Sequence, residues 1–262
     1  MVPPFEITNV VTTFNLQVSW INLNGLSLQF DHIKYNPRKF AAAVFWLKEP
    51  RTSTLVFSTG NAVCAGGRSV SAAMLSGRKI SNNFCKNNVW SFFSDFDVCN
   101  VVGAIWCTFS INLNAMYAAN MVDTTIKCTY NPKSFPGLVM RLAKPKAVFL
   151  VFQSGKVVCT GGKSEEDIER AFDFAYRYIF RQYACHPAGS VEEKPRPAVA
   201  QQRYNAEDTR AFLWQIVCEE EKKSLGKFDE SHAKILMDAE DSCTDQQGDM
   251  FYDQEGIKWA LL

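Results

Sequence analysis

The segment Ser154 to Ser164, Ser-Gly-Lys-Val-Val-Cys-Thr-Gly-Gly-Lys-Ser, has the glycines and lysines from which a phosphate-cradling loop is made. One position rules that out. A G-x-x-x-x-G-K-S loop ending at Ser164 needs glycine at 157, where the chain has Val157, and the surrounding valines and cysteine read as a β-strand. The other reactive side chains assemble no catalytic constellation. Nine cysteines (Cys64, Cys85, Cys99, Cys107, Cys128, Cys159, Cys185, Cys218 and Cys243) are odd in number and contain no C-x-x-C pair. That pattern predicts reduced, mostly buried thiols rather than a zinc site or a disulfide framework. His32, His186 and His232 lack metal-ligand spacing, and Asp241, Asp245 and Asp249 lack the spacing of a calcium loop. No nucleophile has a base defined by sequence beside it, so the chain is expected to be no enzyme and to carry no cofactor or metal.

The glycine-rich segment matters for a different reason: it occurs twice. Leu55 to Ser69, LVFSTGNAVCAGGRS, returns as Leu150 to Ser164, LVFQSGKVVCTGGKS, with nine of fifteen positions identical at a constant offset of 95. Asn9-Val10-Val11 returns as Asn100-Val101-Val102, Ile21 to Asn24 as Ile111 to Asn114, and Tyr35-Asn36-Pro37 with Phe40 as Tyr130-Asn131-Pro132 with Phe135. The body is a tandem duplication, residues 1–92 and 93–184, too long in period for a solenoid.

Each copy predicts the same elements. A Val/Thr/Phe-rich strand (Asn9 to Val18; Asn100 to Ser110) leads through an Asn-punctuated segment to a short helix or loop. A Tyr-Asn-Pro turn and an apolar strand follow (Phe40 to Leu47; Gly137 to Leu142). Next comes a hairpin, Thr54 to Phe57 with Ala62 to Ala65 and Phe149 to Phe152 with Val157 to Thr160, turning at Thr59-Gly60 and Ser154-Gly155. A helix closes each copy: Ser69 to Lys86 in the first, and in the second one with Ser164 as N-cap, an S-x-x-D box to Asp167, and an apolar stripe of Ile168, Ala171, Phe172, Ala175 and Ile179. The implied class is α+β, an antiparallel sheet with helices on one face and the other face free. Strand alternation puts Leu55, Phe57, Val63 and Ala65 on that free face, and Leu150, Phe152, Val158 and Thr160 in the second copy, with Val56 and Cys64 toward the helices. An apolar face of this kind inside a basic rim calls for a ligand, or else for a second layer of protein above it.

Charge points to what the ligand is. The 262 residues carry a net charge of only +1. Residues 1–180, however, hold 18 Lys+Arg against 11 Asp+Glu (+7), and residues 181–262 hold 10 against 16 (−6), which suggests a polyanion partner or an internal mimic of one. The longest apolar run, Phe40 to Leu47, is eight residues, so no membrane span is expected, and the N-terminus has neither the basic nor the apolar region of a secretory leader.

The duplicated N-[IV]-V, Y-N-P-x-x-F and F-x-x-G-x-x-V-x-x-G-x-[KR]-S patterns, with YNPRKFAA, EPRT, SFPGL and SGKVVCTGGKSEED, resemble the core of the TATA-box-binding protein family over about residues 8–182. The resemblance implies a saddle: two pseudo-symmetric repeats forming one curved antiparallel sheet with helices on the convex face. It implies a nuclear transcription initiation factor that binds and bends promoter DNA in the minor groove, by Phe side chains wedged between base steps, and nucleates preinitiation complex assembly. The wedges would be Phe40, Phe57, Phe135 and Phe152. Asn9 and Asn100 would donate to A·T acceptors at the centre. Val11, Leu55, Val63, Val102, Leu150 and Val158 would make apolar contact there, and Thr160 would keep a hydroxyl. Arg38, Arg51, Arg68, Arg141, Lys146, Lys156 and Lys163 match phosphate-contacting or rim positions. Implied partners are A·T-rich double-stranded promoter DNA, general factors of TFIIA and TFIIB/BRF type, and activating factors of the snRNA-promoter type.

Departures from the family pattern cluster in the first repeat, where Ala65, Asn61 and Trp46 stand opposite Thr160, Lys156 and Arg141; a weaker DNA grip by that half is expected. The loop Asn131 to Ser134 lacks the acidic residues expected to engage TFIIB. The first closing helix keeps Arg78, Lys79 and Lys86 but is otherwise less basic than the family's. A divergent TBP-related factor fits these departures, with a protein-interaction scaffold of weak or partner-dependent DNA binding as the alternative. Beyond residue 184 the resemblance ends. Residues 185–203 read as a proline-containing linker, and 204–262 as an acidic, mainly helical C-terminal extension with Asn205 as an N-cap and Gly226 as a stop.

Overall fold

The computed structural model describes residues 2–29, 33–38, 40–119 and 125–185, so the expectations for the linker and the C-terminal extension lie outside the described residues. Two compact units divide the chain: residues 8–100 form the first, and residues 2–7 with 101–185 the second.

The first unit runs β1 (Glu6–Asn15), α1 (Leu23–Gln29), β2 (Ile33–Lys34), β3 (Ala42–Leu47), β4 (Thr52–Phe57), β5 (Asn61–Gly67) and α2 (Val70–Lys86). Its strands are antiparallel neighbours in the order β2-β3-β4-β5-β1. The second runs β6 (Ser94–Trp106, starting in the first unit), β7 (Ser110–Ile111), α3 (Leu113–Ala119), β8 (Ile126–Thr129), β9 (Leu138–Leu142), β10 (Ala147–Val151), β11 (Lys156–Gly162), α4 (Glu165–Tyr178), a 3-10 turn (Phe180–Tyr183) and β12 (Ala184–Cys185). Its order is β6-β11-β10-β9-β8, and β12 pairs with β7. The α+β class and the repeated strand–hairpin–helix unit are as the sequence predicts. The short edge strands β2 and β8 are not, because two and four residues are too few to show a period.

Local sequence explains the element ends. Gly155 turns the second hairpin at φ 91°, and a Cβ there would lie 2.4 Å from the Phe109 carbonyl oxygen, so only glycine fits. Ser69 caps α2 by accepting the Ala72 N–H at 3.1 Å, and Ser164 caps α4 by accepting that of Asp167 at 3.1 Å. The expected reciprocal box closes one residue early: Asp167 Oδ2 accepts the Lys163 N–H at 3.2 Å, and Arg170 holds the other oxygen at 2.6 Å.

Each helix covers one face of its sheet. In the first unit Val56 and Cys64 pack with Ile80 and Phe84 of α2, and Phe45 stacks on Phe84 at 5.4 Å between centroids. In the second, Phe149 meets Phe172 at 5.8 Å and Phe180 at 5.7 Å, and the whole predicted stripe of α4 is buried. The two interfaces differ in polarity. Thr12, Thr52, Thr54 and Ser76 gather about Cys64, where the equivalent residues about Cys159 are Gly103, Ala147, Phe149 and Ala171. Thr52 donates to Ser76 at 2.8 Å and Ser76 to the Ala72 carbonyl, while the buried Thr12 and Thr54 hydroxyls have only the Cys64 thiol beside them. A thiol is a weak hydrogen-bond partner, so a hydroxyl buried against it recovers little of the about 1–3 kcal/mol that its burial costs. Thr54→Val, which keeps the shape and removes the hydroxyl, is therefore expected to raise stability by about 1 kcal/mol, read as a shift in the urea midpoint at constant m-value.

The seven described cysteines are all free thiols. Cys64, Cys107 and Cys159 are buried, and burial pushes the Cys107 thiol up to about 12 and raises those of Cys64 and Cys159. Cys85 and Cys185 are exposed, so the expectation of mostly buried thiols does not extend to the helix end and the last strand. Among the described residues no His/Cys/Asp/Glu group is placed to hold a metal ion, and no helix is long and apolar enough to cross a membrane.

Candidate nucleic-acid interface

Strand register assigns the two faces of each sheet. Leu55 lies between Val44 on β3 and Val63 on β5, and Trp46, Ser53 and Ala65 share that row's side. Leu150 lies likewise between Val139 and Val158, with Arg141, Val148 and Thr160 in the adjoining row. All of these point away from the helix-side residues Val56, Cys64 and Phe149, as strand alternation predicts. The expected exposure is not found. Leu55 and Leu150 are 0% exposed, Val158 2%, Val11 and Val102 3%, and Thr160 4%, while Val63, Phe57 and Phe152 are half-buried. In-register neighbours on the adjoining strands shield these side chains laterally.

The Tyr-Asn-Pro turns place the aromatic wedges. Asn36 Oδ1 accepts the Arg38 N–H at 3.1 Å and Asn131 Oδ1 that of Lys133 at 3.3 Å; the Asn36 and Asn131 carbonyls then accept the N–H groups of Phe40 and Phe135, each at 2.9 Å. Asparagine thus folds the chain back on itself through its own side chain, and the fourth residue after it is aimed at the sheet. This is also why Phe40, expected as the first residue of an apolar strand, stands outside β3, which begins at Ala42. Phe40 meets Phe57 edge-on at 6.0 Å, and Phe135 meets Phe152 at 5.8 Å. The second pair depends on Gly137, since a Cβ there would come within 2.6 Å of Phe135 and 3.1 Å of Phe152. Gly137→Val is expected to displace this pair and weaken binding of an A·T-rich duplex about tenfold, equivalent to about 1.4 kcal/mol, with urea stability measured alongside to separate folding from binding.

Asn9 and Asn100 are buried, and so is each apolar residue two positions on, Val11 and Val102. Asn9 Oδ1 accepts the Gly66 N–H at 2.8 Å, where Gly66 (φ 93°) sits at the break in register between β1 and β5. With its oxygen engaged, the amide's remaining polar end is the donor.

The basic residues fall into two groups. Arg38, Arg51, Arg68, Lys146 and Lys163 are exposed on turns: Arg38 on the Asn36 turn, Arg51 and Lys146 between β3 and β4 and between β9 and β10, Arg68 and Lys163 just before the helices. Arg141 and Lys156 lie on strands. Lys156 pairs in register with Trp106 and holds its ammonium 5.1 Å from the indole centroid; the equivalent first-unit pair, Asn61 with Asn15, is instead an amide hydrogen bond of 2.7 Å.

The sequence reading missed two cations. Lys34 on edge strand β2 holds its ammonium 5.6 Å from the Trp46 ring, and Lys127 on β8 pairs in register with Arg141. Charge lost at Trp46 is thus partly restored by Lys34, and the buried Trp46 Nε1–H makes no hydrogen bond among the described residues. Ile33-Lys34 and Ile126-Lys127 stand at an offset of 93 rather than 95, so Lys34, opposite Val44, and Lys127, opposite Arg141, occupy different places on the two edges.

Comparison with known proteins follows the same residues. The family described as "Transcription factor TFIID (or TATA-binding protein, TBP)" matches residues 4–86 and 95–182. The TATA-box-binding protein of Caenorhabditis elegans is 38% identical over 175 residues, 67% of this chain and 50% of its own length; that of Acanthamoeba castellanii is 37% identical over 170 residues, 65% and 64%. The chain thus spans about half to two thirds of the length of these relatives. Among solved structures, Methanococcus jannaschii TBP superposes with a TM-score of 0.58 at 30% identity, covering 67% of this chain and 97% of that one.

Proposed function

The chain belongs to the TATA-binding protein family, a family of transcription factors rather than enzymes, and on that premise we propose that it is a nuclear transcription initiation factor that binds A·T-rich promoter DNA through the minor groove and bends it. The observation that carries this reading is the pair of edge-on phenylalanines in each unit, Phe40 with Phe57 and Phe135 with Phe152, beside a row of valine and leucine and a set of Arg and Lys. Apolar wedges that unstack a base step, with cations for the phosphates, are the means by which a sheet reads deformability rather than base identity. Asn9 and Asn100 supply amide donors of the kind that A·T pairs accept in the minor groove.

Partners of TFIIA, TFIIB/BRF and snRNA-promoter type belong to the same proposal, with altered strengths. Lys79 of α2 donates to the Glu49 carbonyl and is thereby occupied in holding the β3–β4 turn. The neutral-to-basic turn Asn131 to Ser134 offers no carboxylate to a basic partner. A second reading, a scaffold whose DNA binding depends on partners, is favoured by one observation, the shielding of the central side chains from solvent.

Titrating fluorescent A·T-rich and G·C-rich duplexes at fixed salt tests the proposal. Preference for the A·T-rich duplex by tenfold or more, about 1.4 kcal/mol, is expected; equal affinity for both would leave only charge attraction and sink it.

A further inference from the structure

We propose that the cleft at the C-terminal end of α4 is a docking site for a short acidic segment of a partner protein, one that carries an aromatic or aliphatic side chain between its carboxylates. The cleft has a volume of about 330 Å³ and is lined by Val2, Tyr176, Arg177, Tyr178 and Arg181, all of the second unit. It is built on the closing helix and not on the strands, so the reading does not depend on what the strand face binds. Local sequence preforms it. Two prolines follow Val2 and restrict the backbone there, and Phe5 packs on Phe172 of α4 with ring centroids 6.1 Å apart, which holds the N-terminal segment against the helix. Tyr176 is its buried side, 6% exposed with its ring 5.9 Å from that of Phe109. Tyr178 is its open side, 62% exposed and resting on Phe174 at 5.3 Å.

Charge selects the occupant. Arg177 lies in the last turn of α4 and Arg181 in the 3-10 turn that follows. Arg177 gives its Nε–H to Asp173 at 2.7 Å, while its terminal nitrogens and the whole Arg181 guanidinium make no hydrogen bond or ion pair among the described residues. Neither is needed to cap the helix. Gln182 donates its side-chain amide to the Tyr178 carbonyl at 2.7 Å and its backbone N–H to the Ile179 carbonyl at 3.1 Å. Burial raises the Tyr176 phenol and the Arg181 guanidinium works against it, which puts that guanidinium beside the buried ring. Two guanidinium forks next to tyrosine and valine offer charge-assisted hydrogen bonds to carboxylates and an apolar slot for a large side chain. Nucleic acid suits the cleft less. Glu165, Glu166, Asp167, Glu169 and Asp173 on α4 would repel a long polyanion, whereas a short segment need bring only one or two carboxylates to this end of the helix.

The test uses the full chain and a fluorescein-labelled peptide, Asp-Asp-Phe-Asp-Asp-Leu-Asp. Saturable binding at low salt is expected, weakened about tenfold by Arg177→Gln with Arg181→Gln and lost at about 0.5 M salt. Both guanidiniums are exposed, so this variant should keep the wild-type urea midpoint. Val2→Asp, which brings a carboxylate into the cleft from the opposite side, should weaken binding by a similar factor. Bound peptide is also expected to slow modification of Arg181 by phenylglyoxal about threefold, relative to the exposed Arg78 on α2. Absence of saturable binding up to about 1 mM peptide would overturn the proposal. So would unchanged affinity in the double-Gln variant, or equal binding of the neutral peptide Asn-Asn-Phe-Asn-Asn-Leu-Asn. Displacement of the peptide by an equimolar A·T-rich duplex would overturn it too, by assigning the peptide to the surface that holds DNA. A chain that takes up the peptide in these ways and binds no duplex would defeat the DNA reading and leave the cleft standing.

Discussion

Phe135→Ala with Phe152→Ala is expected to weaken binding of an A·T-rich duplex about 100-fold, some 2.7 kcal/mol, and to remove one of the two kinks. The magnitude follows from what a wedge does. Unstacking a base step costs a few kcal/mol, which is recovered only if a flat apolar group fills the opened step and the bent duplex then meets more of the protein. The two rings stand edge-on at 5.8 Å, held by the Asn131 turn from one side and the end of β10 from the other, so that removing both leaves nothing to enter the step. Phe135 is buried, and its loss also takes packing away. A Phe135→Leu, Phe152→Leu variant separates the effects: it keeps most of the volume and should restore stability in urea while recovering only part of the bend. Phe40→Ala with Phe57→Ala should cost less, since the first unit contributes fewer strand-borne cations to hold the bent duplex.

The second large effect is electrostatic and is read in the salt dependence. Arg141→Gln with Lys156→Gln is expected to reduce the slope of log affinity against log salt by almost two, at about 0.9 per phosphate contact, and to weaken binding about tenfold or more near physiological salt. The reciprocal substitutions in the first unit make the sharper comparison. Asn61→Lys should add close to one full contact, because it replaces an amide that now only bonds Asn15. Trp46→Arg should add less than one, because Lys34 already stands over that ring. Equal gains at the two positions would show that Lys34 does not serve the site.

Much of this was legible in the sequence because the chain states its pattern twice. The offset of 95 fixes the hairpins, alternation fixes which of Leu55 and Val56 faces α2, and Ser69 and Ser164 announce the helices that follow them. What was not legible has physical causes. Edge strands of two and four residues have no period to detect, so Lys127, in register with Arg141, and Lys34, opposite Val44 but 5.6 Å from the Trp46 ring, escaped notice. The exchange of a Trp106–Lys156 pair for an Asn15–Asn61 pair joins strands far apart in sequence, and only strand pairing reveals that each substitution is matched by its neighbour. The shielding of Leu55 and Leu150 was missed because alternation tells which side a residue faces and is silent on how closely its in-register neighbours flank it.

In the proposed function, two phenylalanine pairs bend promoter DNA. Energy transfer between dyes on the two ends of a short A·T-rich duplex tests it most directly. A rise in transfer on binding is expected, reduced by roughly half when either phenylalanine pair is replaced, as for two kinks of similar size. Saturable binding with no change in transfer would contradict it.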